Sequence, residues 1–238
     1  MEQNDDMRQM PRPRHNDMVI KVCGLRDLDN MRQVACLTPM LAGFIFYPGS
    51  PRYVGEPPVD FLSGLSPFVN PVAVFVNAGA NHVREIASRY GFGIVQLHGD
   101  ESAGYCAVLK ESGLVVFKAI GVTDDMDWDS LKDYEGIVDA FVFDTGDSRR
   151  GGTGRKFDWR QLERYRQSTP YLLSGGIGPD DVDSIVAAMR PGMVGIDINS
   201  RFETEPGVKD IPMLVKFILS LRKFNEDESI AKPFWTKK

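Results

Sequence analysis

A single (β/α)8 TIM barrel, an α/β architecture, is the fold class this sequence predicts, and three observations carry it. Eight short apolar runs rich in β-branched residues recur at intervals of about 20 to 33 residues. Each is followed by a segment compatible with a helix. Polar residues gather at the C-terminal ends of the runs, the rim at which a parallel barrel carries its chemistry. An open doubly wound sheet is the structural alternative, but it binds at a glycine-rich first turn, and the first turn here offers only Gly24.

The pattern begins at Val19-Ile20-Lys21-Val22-Cys23-Gly24, read as a strand that ends in a thiol before a glycine turn. Alternation puts Val19, Lys21 and Cys23 on one side and Ile20 and Val22 on the other. A lysine and a cysteine therefore share the face that points into a closed barrel. Residues 27–37 open with Asp27, a capping type, and carry Leu28, Met31, Val34 and Ala35 at helical spacing. The second strand, 42–47, stops at Pro48-Gly49-Ser50-Pro51 ahead of Arg52, and 59–65 reads as a short helix.

The unit then repeats, with a strand at 71–76 and a helix over 83–90, then a strand at 94–97 ending in His98-Gly99-Asp100-Glu101 and a helix over 102–110. A fifth strand, 114–120, precedes an acidic helical segment at 125–134, and a sixth, 138–143, ends in Asp144-Thr145. A long polar loop, 146–156, contains Gly151-Gly152-Thr153-Gly154 and leads to a helical pattern at 157–167. The seventh strand, 171–174, runs into Gly175-Gly176-Ile177-Gly178-Pro179, where proline suits the first position of a helix over 180–189. An eighth strand, 193–198, and a helix over 210–224 complete the set. The domain reading is a flexible N-terminal tail over 1–17, the barrel over 18–224 and a C-terminal extension over 225–238.

Composition narrows the function classes. A chain of 238 residues with 42% hydrophobic content can bury one large core. A net charge of −5, from 33 acidic and 28 basic residues spread along the chain, offers no basic stripe, so nucleic acid is not an expected partner. No apolar run reaches the roughly 20 residues of a membrane span, so no membrane partner is expected. The first 17 residues mix Arg8, Arg12 and Arg14 with Glu2, Asp5, Asp6 and Asp17, unlike a secretion signal. Three scattered cysteines, Cys23, Cys36 and Cys106, make neither a disulfide framework nor a zinc knuckle and fit a reducing cytoplasm.

Residues at the expected rim are the candidates for chemistry. Parity places Gln96 and His98 on the face of Ile94, and Asp144 on the face of Ala140 and Val142. Small turn residues after the seventh and eighth strands, Gly175-Gly176 and Asn199-Ser200, suit a phosphate held by backbone N–H groups. Cys23 needs a nearby cation or helix terminus to act as a base, because an ordinary thiol with pKa ~8.5 is mostly protonated at neutral pH. Strand eight neighbours strand one in a closed barrel, so Lys21 is expected to pair with Asp197 beneath the thiol. Lys118 is expected to be structural and inside the barrel, and Cys36 and Cys106 to be packing residues in helices.

Seven segments in order resemble the phosphoribosylanthranilate isomerase family. They are Lys21-Val22-Cys23-Gly24-Leu25, Gly43-Phe44-Ile45-Phe46-Tyr47-Pro48 with Ser50-Pro51-Arg52-Tyr53, Val95-Gln96-Leu97-His98-Gly99, Phe143-Asp144-Thr145, Gly151-Gly152-Thr153-Gly154 with Phe157-Asp158-Trp159, Leu173-Ser174-Gly175-Gly176-Ile177, and Pro206-Gly207-Val208-Lys209-Asp210. The resemblance implies an aldose-ketose isomerase of tryptophan biosynthesis that performs an Amadori rearrangement on a small phosphorylated substrate, with no metal or organic cofactor. It further implies Asp144 as general acid and Cys23 as general base, Arg52 on the anthranilate carboxylate, Gln96 and His98 at the substrate, and Gly175, Gly176, Asn199 and Ser200 at the phosphate. The eighth-strand loop departs from the family's usual serine-serine-glycine, with Arg201 where glycine is common, and Arg26 stands where threonine is common.

A histidine-pathway sugar isomerase on the same barrel would need an aspartate where Cys23 stands and two quasi-repeated halves, which the sequence does not show. The next synthase of the tryptophan pathway would need a lysine acid and glutamates at strand ends. A non-catalytic barrel that binds a phosphorylated ligand is the remaining alternative, and the paired Cys23 and Asp144 argue against it. Monomer and homodimer are both compatible with the sequence.

Overall fold

The computed structural model describes residues 18–146 and 156–225. The tail expected over 1–17, all but the first residue of the expected extension, and most of the polar loop with its Gly151-Gly152-Thr153-Gly154 run lie outside the described residues. The elements are β1 (Val19–Val22), α1 (Leu28–Cys36), β2 (Leu41–Ile45), β3 (Asn70–Phe75), α2 (Ala80–Tyr90), β4 (Ile94–Leu97), α3 (Ala103–Glu111), β5 (Val115–Val122), β6 (Ala140–Thr145), β7 (Tyr171–Leu173), α4 (Val182–Ala188) and β8 (Met193–Ile198). A hairpin of β9 (Glu203–Glu205) and β10 (Val208–Lys209) follows, then α5 (Ile211–Asn225). The first eight strands pair in parallel in chain order, and β1 pairs with β8, which closes the barrel.

Period-two alternation divides the apolar side chains into two cores. Val19, Cys23, Leu41, Val72, Val74, Ile94, Phe117, Ala119, Ala140, Val142, Leu172 and Val194 fill the inside of the barrel. Ile20, Val22, Phe44, Phe75, Val95, Phe141, Phe143 and Ile196 pack outward against the helices. This division corrects the expectation for Lys118. It lies between the inward-facing Phe117 and Ala119, so its side chain leaves the barrel on the outer face. There its Nζ donates to the carbonyls of Gly99 and Ala119, at 2.8 Å each, and stands 3.2 Å from Glu101. Its role is structural, as expected.

Local capping explains where the helices begin. Asp27 accepts from Asn30 N at the head of α1, and Ser102 from Tyr105 N at the head of α3. Three of the expected helices are instead 3-10 segments: Phe61–Gly64, Trp128–Tyr134 and Trp159–Arg164. The last two share an Asp-Trp-x-x-Leu pattern in which the aspartate, Asp127 or Asp158, accepts from the backbone two residues on. Their apolar anchors recur only at i and i+3, a spacing that one 3-10 turn satisfies as well as an α-helix. Cys106 is buried as expected, but Cys36, at the end of α1, is exposed. Among the described residues no helix is long and apolar enough to cross a membrane.

Candidate active site

Eight of the nine residues singled out from sequence line one cavity, open to solvent at the C-terminal rim. Cys23 follows β1, its N–H donating to the Ile198 carbonyl at 2.9 Å. Its sulfur occupies space that exists because residue 43 on β2 is glycine: a Cβ there would come within 2.7 Å of Sγ and 3.0 Å of the Cys23 Cα.

Beneath the thiol, Lys21 Nζ donates to Asp197 Oδ2 at 2.8 Å, with both side chains buried, so the expected ion pair is present. The register that pairs Lys21 with Asp197 across β1 and β8 produces it. Burial works against the Lys21 ammonium, but Asp197 and the thiol above it outweigh that and leave its pKa above the ordinary lysine value. Asp197 Oδ1 is buried with no protein partner among the described residues. At Cys23 burial prevails and pushes the thiol pKa up, although Lys21 and Lys209 pull the other way. The cations beside the thiol temper the effect of burial without reversing it.

Asp144, near the end of β6, uses Oδ1 to accept from Thr145 N at 2.7 Å and leaves Oδ2 3.3 Å from His98 Nε2. Gln96, one inward position before His98, places its Nε2 3.0 Å from His98 Nδ1. In the tautomer whose Nδ1 accepts from that amide, Nε2 carries the N–H that faces Asp144. Gln96 is fully buried and is not among the cavity walls, which sets it under His98 rather than against a ligand.

Arg52 lines the cavity, but its fork is already engaged. Nε donates to Glu203 at 2.9 and 3.0 Å and Nη2 at 2.7 Å, which leaves Nη1 outside that pair. Glu203, on β9, also accepts from Lys209 Nζ at 2.7 Å, and Lys209 in turn donates to Asn199 Oδ1 at 2.8 Å. The functional reading of the sequence missed Glu203 and Lys209. A signal was present in Pro206-Gly207, a proline followed by a glycine at φ 90°, which marks a tight turn between two extended segments.

Gly175 and Gly176 take φ values of 85° and 66°, conformations that favour glycine. A Cβ on Gly175 would lie 2.7 Å from Thr145 N and 3.0 Å from Asp144 Oδ1, so the β7 loop packs directly on the end of β6. The helix expected from Pro179 starts later, at Val182, and Asp181 closes the turn by accepting from Gly178 N at 2.6 Å and pairing with Lys156. On the eighth-strand side, Asn199 and Ser200 line the same cavity, and Arg201 lies outside it, beside Gly178. Ile45, Tyr47, Val74 and Val76 give the cavity an apolar side.

The family model described as N-(5'-phosphoribosyl)anthranilate (PRA) isomerase matches residues 20–220. A curated relative from Parabacteroides distasonis, named N-(5'-phosphoribosyl)anthranilate isomerase, is 44% identical over 84% of this chain and 92% of its own length. The crystal structure of the phosphoribosyl anthranilate isomerase from Thermus thermophilus superposes with a TM-score of 0.78 at 25% identity, covering 87% of this chain and all of that one. Another solved isomerase, in complex with reduced 1-(o-carboxyphenylamino)-1-deoxyribulose 5-phosphate, gives a TM-score of 0.70 at 31% identity over 87% of this chain and 99% of its own. A match across the whole closed barrel, at these identities, leads to one conclusion: this chain belongs to the N-(5'-phosphoribosyl)anthranilate isomerase family.

Proposed function

We propose that this chain converts N-(5'-phosphoribosyl)anthranilate into 1-(2-carboxyphenylamino)-1-deoxyribulose 5-phosphate, the aldose-to-ketose isomerisation of tryptophan biosynthesis, with Asp144 as general acid and Cys23 as general base. The observation that carries the assignment is that a thiol from β1 and a carboxylate from β6, strands that are not neighbours, line one cavity together with the glycine turn after β7.

Asp144 delivers a proton to the ribose ring oxygen as the C1–O bond breaks, and the anthranilate nitrogen supplies the electron pair that forms the C1 iminium. The iminium acidifies the C2–H bond. The Cys23 thiolate takes that proton, and the bonding pair forms the C1=C2 enolamine while nitrogen becomes neutral. Protonation at C1 and loss of the C2 hydroxyl proton then give the ketose. One acid and one base held at fixed positions suffice, because the substrate nitrogen carries the electron sink. His98 stands where it can return a proton to Asp144. Gly175, Gly176, Asn199 and Ser200 take the phosphate, and Arg52 meets the anthranilate carboxylate through Nη1 while Glu203 holds the rest of its fork.

The test is turnover followed by the loss of substrate fluorescence for wild type, Cys23→Ser and Asp144→Asn. Each variant is expected to lose more than ~10²-fold in kcat, the usual scale for removing a general acid or base. Wild-type turnover by the Asp144→Asn protein would remove the acid assignment, and the same result for Cys23→Ser would remove the base.

A further inference from the structure

Arg52, Glu203, Lys209 and Asn199 form a continuous chain of short polar contacts that runs from the β2 loop, through the β9–β10 hairpin, to the end of β8. Arg52 reaches Glu203 at 2.7 Å, Lys209 reaches Glu203 at 2.7 Å, and Lys209 reaches Asn199 Oδ1 at 2.8 Å. The chain passes over the turn that carries the thiol. A Cβ on Gly24 would meet Arg52 Cδ and Asn199 Oδ1 at 2.6 Å each, so both side chains close on the residue that follows Cys23. Gly207 N adds a further contact to Glu203 at 3.2 Å, which ties the hairpin's own turn to the same carboxylate.

The charges in this chain do not cancel. Arg52 and Lys209 contribute two cations and Glu203 one carboxylate, and the Arg52, Lys209 and Glu203 side chains are no more than 10% exposed. Burial disfavours the Lys209 charge and lowers its pKa although Glu203 offsets part of the effect, so an anion at the site would favour the charged form. The two cavity-lining ends of the chain are Arg52 and Asn199.

We propose that Glu203 and Lys209 are positioning residues that join the two anion-binding ends of the site, Glu203 fixing Arg52 for the substrate carboxylate and Lys209 fixing Asn199 for the phosphate. This inference rests on the isomerase reading above and on the ends assigned there. Neither residue lines the cavity, and both act through a neighbour that does. A shared carboxylate is suited to this because one side chain sets the separation of two recognition points, and rigid supports keep ligand contacts within tight tolerances.

The experiment measures KM and kcat for N-(5'-phosphoribosyl)anthranilate, and inhibition by anthranilate and by inorganic phosphate as separate probes of the two ends. Wild type, Arg52→Lys, Asn199→Ala, Glu203→Gln and Glu203→Asp are compared. Arg52→Lys is expected to weaken anthranilate alone and Asn199→Ala phosphate alone, whereas Glu203→Gln weakens both by about tenfold, the scale of one charge-assisted contact. KM should rise more than kcat falls. Glu203→Asp keeps the buried charge, and so guards against failure to fold, but it is one methylene too short to span both cations and must show part of the same double loss. A folded Glu203→Asp protein with wild-type KM and both inhibition constants unchanged would overturn the proposal, as would Glu203 variants that weaken only one probe. Absence of turnover by wild type would instead reject the isomerase reading, and this inference with it.

Discussion

Two buried ionic groups lie within a few residues of the same thiol, and they are built differently. Below Cys23, Lys21 and Asp197 form a pair at 2.8 Å whose formal charges sum to zero. Beside it, Glu203 serves both Arg52 and Lys209 at 2.7 Å each, and one positive charge is left over. The balanced pair joins β1 to β8 at the floor of the cavity, where Asp197 is part of the wall and keeps Oδ1 without a protein partner among the described residues. The unbalanced group at the rim is the one that the proposed substrate anions would complete. The difference separates a neutral pair set by strand register from a charged group set by a hairpin outside the barrel.

The largest expected effect tests the balanced pair. Lys21→Met leaves the Asp197 carboxylate buried and alone, and urea unfolding should show a loss of about 3–5 kcal/mol. The double variant Lys21→Met/Asp197→Leu should recover much of that loss. A single variant that costs under about 1 kcal/mol would mean that the pair does not anchor β1 to β8, and the contrast with the rim would fail.

A smaller effect sharpens the contrast from the other side. Lysine at position 52 keeps the charge but cannot reproduce the fork, so Arg52→Lys should raise KM by about tenfold while kcat changes less. The opposite pattern would give Arg52 a part in the chemical step.

The smallest effect is a pH dependence. Burial holds the Cys23 thiol above its ordinary pKa, since Lys21 is already matched by Asp197 and only partly offsets it. The thiolate fraction therefore grows only as pH rises, and kcat/KM should climb on the alkaline side of neutrality. Lys209, less completely matched, also favours the thiolate, so Lys209→Met should move that limb to higher pH. The stability sign agrees: a raised folded pKa favours the fold below the unfolded value of ~8.5, and that contribution is lost as pH rises through the folded value. Glu203 behaves oppositely. Burial opposes its charge, but Arg52 and Lys209 outweigh that and hold its pKa below the usual range. Its contribution is present above the unfolded value near 4.5 and fades as pH falls through the folded one, a slope that Glu203→Gln should flatten in acid unfolding curves.

What the sequence made legible follows from periodicity. Alternation along β1 and β6 was enough to aim Cys23 and Asp144 inward, and barrel closure was enough to join Lys21 to Asp197 across 176 positions. The same alternation, applied to Lys118 between Phe117 and Ala119, would have sent it outward, so that misplacement came from a rule left unused. The depth of Gln96 was harder to read. Parity fixes a face but not the level at which a cavity floor begins, and His98 lies between Gln96 and the open space. The Arg52–Glu203–Lys209 cluster was illegible for a different reason: its contacts depend on the path of a short hairpin outside the barrel, which no repeat describes. The 3-10 segments were confused with helices because anchors three residues apart serve both.

Cys23 and Cys106 are buried while Cys36 is exposed, and Cys36 sits at the tail of a helix that runs back from the catalytic rim. Alkylating reagents will therefore modify Cys36 first, at the end of the barrel remote from the ligand. Replacing it with serine clears the background for chemical titration of the inner sulfur, and leaving it in place gives a ready attachment point for a dye that leaves the cavity untouched.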